Sequence, residues 1–129
     1  MTTLLYVEDD DNNAFMLTQR LRRHGIEVHH VENGEGALMV AAREPPAAVL
    51  LDINLPGVDG MTVLRRLRAD AATLALPVIV VSASVHDEAR ASALAAGADA
   101  FVSKPIDFGE LLALLSRWIA IQAMERGRR

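Results

Sequence analysis

Short apolar runs alternate along the chain with longer amphipathic stretches. Leu4–Val7, Ala48–Leu51 and Val78–Val81 are compact and apolar on both faces. Strands covered by helices on both sides have this pattern. Ile26–Val31 is more polar and partly alternating, which suits a sheet edge, and Ala100–Val102 is a short candidate for the other edge. Between these runs the spacing predicts five helices. Asn12–His24 carries Ala14, Leu17 and Leu21 on one stripe and stops at Gly25. Gly36–Arg43 is shorter and is ended by Pro45-Pro46. Asp59-Gly60 precedes a helix through Ala69, with Val63, Leu64 and Leu67 facing inward. Asp87–Ala96 is alanine-rich and stops at Gly97. Asp107, with Glu110 three residues later, forms a capping-box start for a last helix that runs to about Met124. Five β–α units in succession predict an α/β fold, a doubly wound parallel sheet with helices on both faces.

Composition narrows the class. The chain has 129 residues, enough for one domain with a real core. Its 51% hydrophobic and 23% charged residues describe a soluble globular protein. No apolar run is long enough to span a bilayer, and the start lacks the pattern of a signal peptide, so a cytoplasmic protein without membrane contact is expected. There is no cysteine, which excludes thiol chemistry and Cys-zinc sites. A net charge of −4 gives no support to direct nucleic-acid binding. The domain is expected over residues 1–122, followed by a short basic tail over residues 123–129.

Ligands of open parallel sheets sit beyond the carboxyl ends of the strands. The residues at those ends are Glu8, Asp9, Asp10 and Asp11 after the first run, Asp52 after the third, Ser82 after the fourth and Lys104-Pro105 after the fifth. Asp10 or Asp11 is expected to cap the first helix. That leaves Glu8 and Asp9 unexplained beside an apolar strand. Three carboxylates brought together repel one another, and a bound divalent cation removes that cost. Oxygen-only ligands without His or Cys favour Mg²⁺.

Four segments carry a resemblance: Val7-Glu8-Asp9-Asp10, Leu51-Asp52 through Asp59-Gly60, Val80-Val81-Ser82-Ala83, and Gly97 through Lys104-Pro105. They resemble the receiver domains of two-component response regulators, from about Thr3 to Ile121. The resemblance implies the strand order 2-1-3-4-5 and a switch driven by phosphorylation. Asp52 would accept a phosphoryl group from a histidine kinase or phosphotransfer protein. Asp9, Asp52 and the Asn54 backbone carbonyl would bind Mg²⁺, with Glu8 helping through a water. Ser82 would hydrogen-bond the phosphoryl group and Lys104 would pair with its charge. Phe101 would be the aromatic switch residue, and the Lys104–Pro105 bond would be cis. The domain would catalyse only its own phosphorylation and dephosphorylation. Three positions depart from the commoner pattern: Glu8 replaces Asp, Ser82 replaces Thr, and Phe101 replaces Tyr. None of these removes a group that phosphorylation requires, although Phe101 has no hydroxyl, so its coupling would be steric.

In the last helix, Phe108, Leu111, Leu112, Leu115 and Ile119 share a stripe expected to be core. Leu114, Trp118 and Ile121 form a second stripe. It is either the flank of a wide core face or a surface for a downstream protein or a homodimer. The chain reads either as a stand-alone regulator or as the receiver of a hybrid kinase, with Met1 favouring a natural start. The main rival function is a Mg²⁺-dependent phosphatase-like enzyme on a similar sheet. Haloacid-dehalogenase-type enzymes use an Asp-x-Asp pair, whereas here the third position is Asn54, so the second carboxylate is missing. A second rival is an interaction module that has lost phosphorylation, and intact Asp9, Asp52, Ser82 and Lys104 argue against it.

Overall fold

The computed structural model describes residues 2–55, 57–83 and 87–127, with the side chains of the last helix described as far as Ile119. The elements are β1 Thr2–Val7, α1 Asp11–Arg22, β2 Ile26–Val31, α2 Gly34–Arg43, β3 Ala48–Asp52, α3 Gly60–Ala69, β4 Val78–Ser82, α4 Asp87–Ala95, β5 Ala100–Ser103 and α5 Phe108–Gly127. All strand pairs are parallel, in the order β2-β1-β3-β4-β5. The two runs expected at the edges are therefore the edges.

Alternation along each central strand builds two cores. Leu5, Val7, Val49, Leu51, Val78 and Val80 face α2, α3 and α4, where they meet Ala37, Ala41, Val63, Leu64, Leu67 and Ala93. Leu4, Tyr6, Ala48, Leu50, Ile79 and Val81 face α1 and α5, where they meet Ala14, Leu17, Leu21, Leu111 and Leu115. Each fully buried Leu or Val contributes about 1.5–3 kcal/mol relative to exposure. Phe108, Leu112 and Ile119 are half-buried against the second core.

Helix boundaries follow their caps. Asp10 caps α1 by accepting from the Asn13 amide at 3.0 Å. Asn33 caps α2, accepting from Gly36 N–H at 2.8 Å, so that helix starts at Gly34 rather than Gly36. α1 closes at Arg22 rather than His24, because Gly25 at φ 79° pulls the last turn into shorter bonds, His24 N–H to Leu21 O and Gly25 N–H to Arg22 O. Asp107 accepts from Glu110 N–H at 3.0 Å at the start of α5. α5 continues past Met124 to Gly127, through residues with good helix propensity up to a glycine.

Leu114 is half-buried and packs against the second core. Trp118 is half-buried, with the Arg117 guanidinium 5.6 Å from its ring centroid. The side chain of Ile121 lies outside the described residues. Among those residues, no helix is long and apolar enough to cross a membrane.

Candidate active site

The strands β3, β4 and β5 each run one residue further than their apolar runs. Asp52 is the last residue of β3 and Ser82 the last of β4, rather than the first residues beyond them. The ladder is carried on by Ile53 N–H to Val81 O at 3.0 Å and Lys104 N–H to Ser82 O at 2.8 Å. Glu8 follows β1 directly and is tied to β2 by its N–H to Val31 O at 3.0 Å. The sheet itself therefore positions Glu8, Asp52, Ser82 and Lys104. Gly60 makes this edge compact: a Cβ there would lie 2.4 Å from Ile53 Cα and 2.7 Å from Asp52 O. Only glycine lets α3 start so close to the acidic strand end.

Glu8 and Asp52 are almost wholly buried, at 1% and 2% exposure, while Asp9 is exposed. One carboxylate oxygen from each of the three lies within 4.8 Å of the others. Lys104 Nζ sits 2.8 Å from Asp52 Oδ2 and 3.5 Å from Glu8 Oε1. Asn54 N–H donates to Asp52 Oδ1 at 2.9 Å. The Lys104–Pro105 peptide is cis. Ser82 is buried at the neighbouring strand end, and Phe101 is buried in the first core, opposite Val80 in the ladder. A cavity of about 630 Å³ opens beside Glu8 and Lys104, lined also by Tyr6, Asn13, Met16 and Arg20.

The charges are unevenly matched. Both Glu8 carboxylate oxygens are buried without a hydrogen-bond partner. Burial, reinforced by neighbouring Asp52, pushes the Glu8 pKa up to about 7, against the pull of Asn13 and Lys104. Burial also works against the charge of Asp52, but the contacts from Glu8, Lys104 and the Asn54 amide outweigh it and hold its carboxyl below the usual range. Burial lowers the Lys104 pKa less than the two carboxylates raise it, so the ammonium is held charged. The result is an ionised, buried Asp52 next to a fixed cation.

The structure brings Glu8, Asp9, Asp52, Asn54 and Lys104 into one cluster. Leu114 and Trp118 lie on α5, apart from it. One neighbour had no signal in the sequence: the His30 imidazole Nε2 lies 2.7 Å from the backbone carbonyl of Glu8, across the β1–β2 pair. No motif marks a histidine at the end of a polar edge strand.

Residues 4–116 match the family model of the response regulator receiver domain. The chain belongs to that family. It is 34% identical to protein PilH of Pseudomonas aeruginosa over 120 residues, covering 93% of this chain and 99% of PilH. It is 38% identical over 104 residues to response regulator PleD of Caulobacter vibrioides, covering 81% of this chain but only 23% of PleD. A putative response regulator from Chloroflexus aurantiacus superimposes with a TM-score of 0.88 at 36% identity, covering 92% of this chain and 98% of that one. The receiver domain of sensor histidine kinase PA1611 from P. aeruginosa, solved with a magnesium ion coordinated in its active-site cleft, gives 0.86 at 33% identity, with 92% and 98% coverage. Receiver domains are signalling domains rather than conventional enzymes, so this chain is a receiver domain of the two-component response regulator class.

Proposed function

We propose that Asp52 is the phospho-acceptor of a Mg²⁺-assisted switch, charged by a histidine kinase or phosphotransfer protein and read by a downstream protein. The observation that carries this reading is the imbalance at the strand ends. Three carboxylates converge within 4.8 Å, two of them buried, and both buried Glu8 oxygens lack a hydrogen-bond partner. One lysine cannot neutralise three acids. An all-oxygen donor set with a net negative charge fits a hard divalent cation. Asp9, Asp52 and the Asn54 carbonyl would hold Mg²⁺ directly, and Glu8 through a water. When bound, the cation supplies the positive charge that lets an anionic phosphoryl group approach an anionic carboxylate.

The chain's own groups do the rest. Asp52 is kept ionised, so a carboxylate oxygen can attack phosphorus. An O–P bond forms while the P–N bond of the donor phosphohistidine breaks. The bonding pair leaves with the imidazole, which ends as neutral histidine after taking a proton from solvent. Lys104 holds one side of the developing charge, and the Asn54 amide fixes the carboxylate plane. Ser82, at the end of β4, is within one strand of Asp52, and its hydroxyl would turn to the new phosphoryl group. Phe101 on β5 packs in the same core as Ala93 of α4. A shift of Ser82 therefore has a steric route to the α4–β5 surface. Asn54 stands where a phosphatase-like enzyme needs a second carboxylate, so the acyl phosphate lacks a built-in general base.

Intact-mass measurement after treatment with a small acyl-phosphate donor tests the reading. Phosphate uptake is expected with Mg²⁺, little is expected in excess chelator, and none is expected for Asp52→Asn. Equal uptake with and without chelator overturns it.

A further inference from the structure

We propose that His30 is a positioning residue for the divalent-cation site, acting through the backbone of Glu8. The inference rests on the Mg²⁺ reading above and adds to it a residue from the edge strand. β1 and β2 are paired from Thr2↔Ile26 to Val7↔Val31, and Glu8 N–H extends the ladder to Val31 O. There the ladder ends. β2 stops at Val31 and the chain turns into α2, where Asn33 is committed to capping through Gly36 N–H. The carbonyl of Glu8 is left at the frayed end of the pairing. The His30 imidazole takes the place of the next rung, with Nε2 2.7 Å from that oxygen.

A carbonyl oxygen can only accept, so Nε2 must carry the hydrogen. Packing holds the imidazole in place. It stands in register with Tyr6, with ring centroids 6.0 Å apart, on a half-buried residue. The Glu8 backbone is thus held on both sides, its N–H by Val31 and its C=O by His30. That peptide lies between the two acids expected to face the cation, because the Glu8 C=O and the Asp9 N–H belong to the same peptide plane. Fixing the plane fixes where the Glu8 and Asp9 side chains leave the chain. Partners that orient metal ligands from behind contribute to affinity without touching the metal. His30 has this relation to the pair Glu8–Asp9.

The test compares two side chains of similar size. Gln at position 30 can place an amide N–H where Nε2–H stands, and Leu cannot. Mg²⁺ affinity is read from backbone amide shifts on titration, alongside thermal unfolding without Mg²⁺. His30→Leu is expected to weaken Mg²⁺ binding about tenfold, at the low end of such outer-partner effects. His30→Gln is expected to stay within about twofold of the parent, a full donor rescue. The parent's imidazole nitrogen shifts should show a protonated Nε2. The proposal is overturned if Leu and Gln bind Mg²⁺ alike, or if Nε2 carries no proton. Loss of Mg²⁺ binding in the parent itself would instead overturn the cation reading on which this one stands.

Discussion

The two ends of the sheet hold charged clusters built on opposite terms. At the amino end of β4 and β5, Arg68 of α3 donates to Gly97 O at 2.9 Å, Leu74 O at 2.9 Å and Leu76 O at 2.6 Å. It also pairs with Asp99 Oδ2 at 2.9 Å, and Asp99 accepts the Val78 amide at 2.8 Å. Cation, anion and loop carbonyls all find partners, and the guanidinium fork suits this geometry. At the carboxyl end, Glu8, Asp9 and Asp52 outnumber Lys104, which reaches Glu8 Oε1 only at 3.5 Å and leaves both Glu8 oxygens without a hydrogen bond. A satisfied cluster contributes stability. An unsatisfied one costs stability and keeps a place for a ligand that brings the missing charge.

Substitutions at the two ends should therefore have opposite signs. The largest effect is expected from Arg68→Ala, which leaves Asp99 with only the Val78 amide and takes the donor from three carbonyls. It should cost about 3 kcal/mol in urea unfolding while leaving Mg²⁺ affinity unchanged. Arg68→Lys should recover only part of that loss, because an ammonium cannot copy the fork. A loss below about 0.5 kcal/mol for Arg68→Ala would show that the clamp is no more than a surface ion pair.

A smaller effect of opposite sign is expected from Glu8→Gln. Measured at pH 8 in chelator, it should stabilise the fold by about 1 kcal/mol, since a buried charge is replaced by a neutral group of the same shape. The same change should weaken Mg²⁺ binding. Destabilisation in chelator would mean that Glu8 is already compensated without a cation.

The smallest expected effect is a slope with pH. The Glu8 pKa rises from 4.5 to about 7 on folding, so the native state keeps a proton that the unfolded chain releases. That contribution is fully present below pH 4.5 and is lost as pH rises through 7. Asp52 is shifted the other way, so its contribution is present above its ordinary value of 3.8 and is lost as pH falls below it. Urea unfolding in chelator across pH 5 to 8 should show stability falling with pH in the parent and a flatter profile in Glu8→Gln. Parallel profiles for the two proteins would remove Glu8 as the source.

Much of this molecule is legible before folding. Alternating runs mark the five strands, and their two-sided apolar character places β1, β3 and β4 inside the sheet. The carboxylates appear directly after those runs, and Lys104-Pro105 after the last of them. Local signals were weaker at helix starts. Asn33 caps α2 two residues earlier than the apolar pattern suggests, because a cap is one side chain and one amide rather than a period. The second stripe on α5 could not be divided by spacing alone. Leu114 is half-buried against the core that α5 shares with β1, β3 and β4, a contact that spacing along the helix does not specify.

The sequence by itself determined the order of elements, the two-sided sheet and the collection of acids at one edge. Each is a matter of periodicity or of neighbours along the chain. Tertiary structure decided which of those acids would be partnered. His30 reaches Glu8 across 22 positions only because the β1–β2 register sets it opposite Tyr6, and a slip of one residue would turn it to the other face. Gly60 presses on the Asp52 backbone only because α3 starts against the end of β3. Lys104 meets Asp52 across 52 positions for the same kind of reason. The residue types for the chemistry are written in the chain, but how far each charge is compensated is fixed by packing, which alone sets distance and access to water.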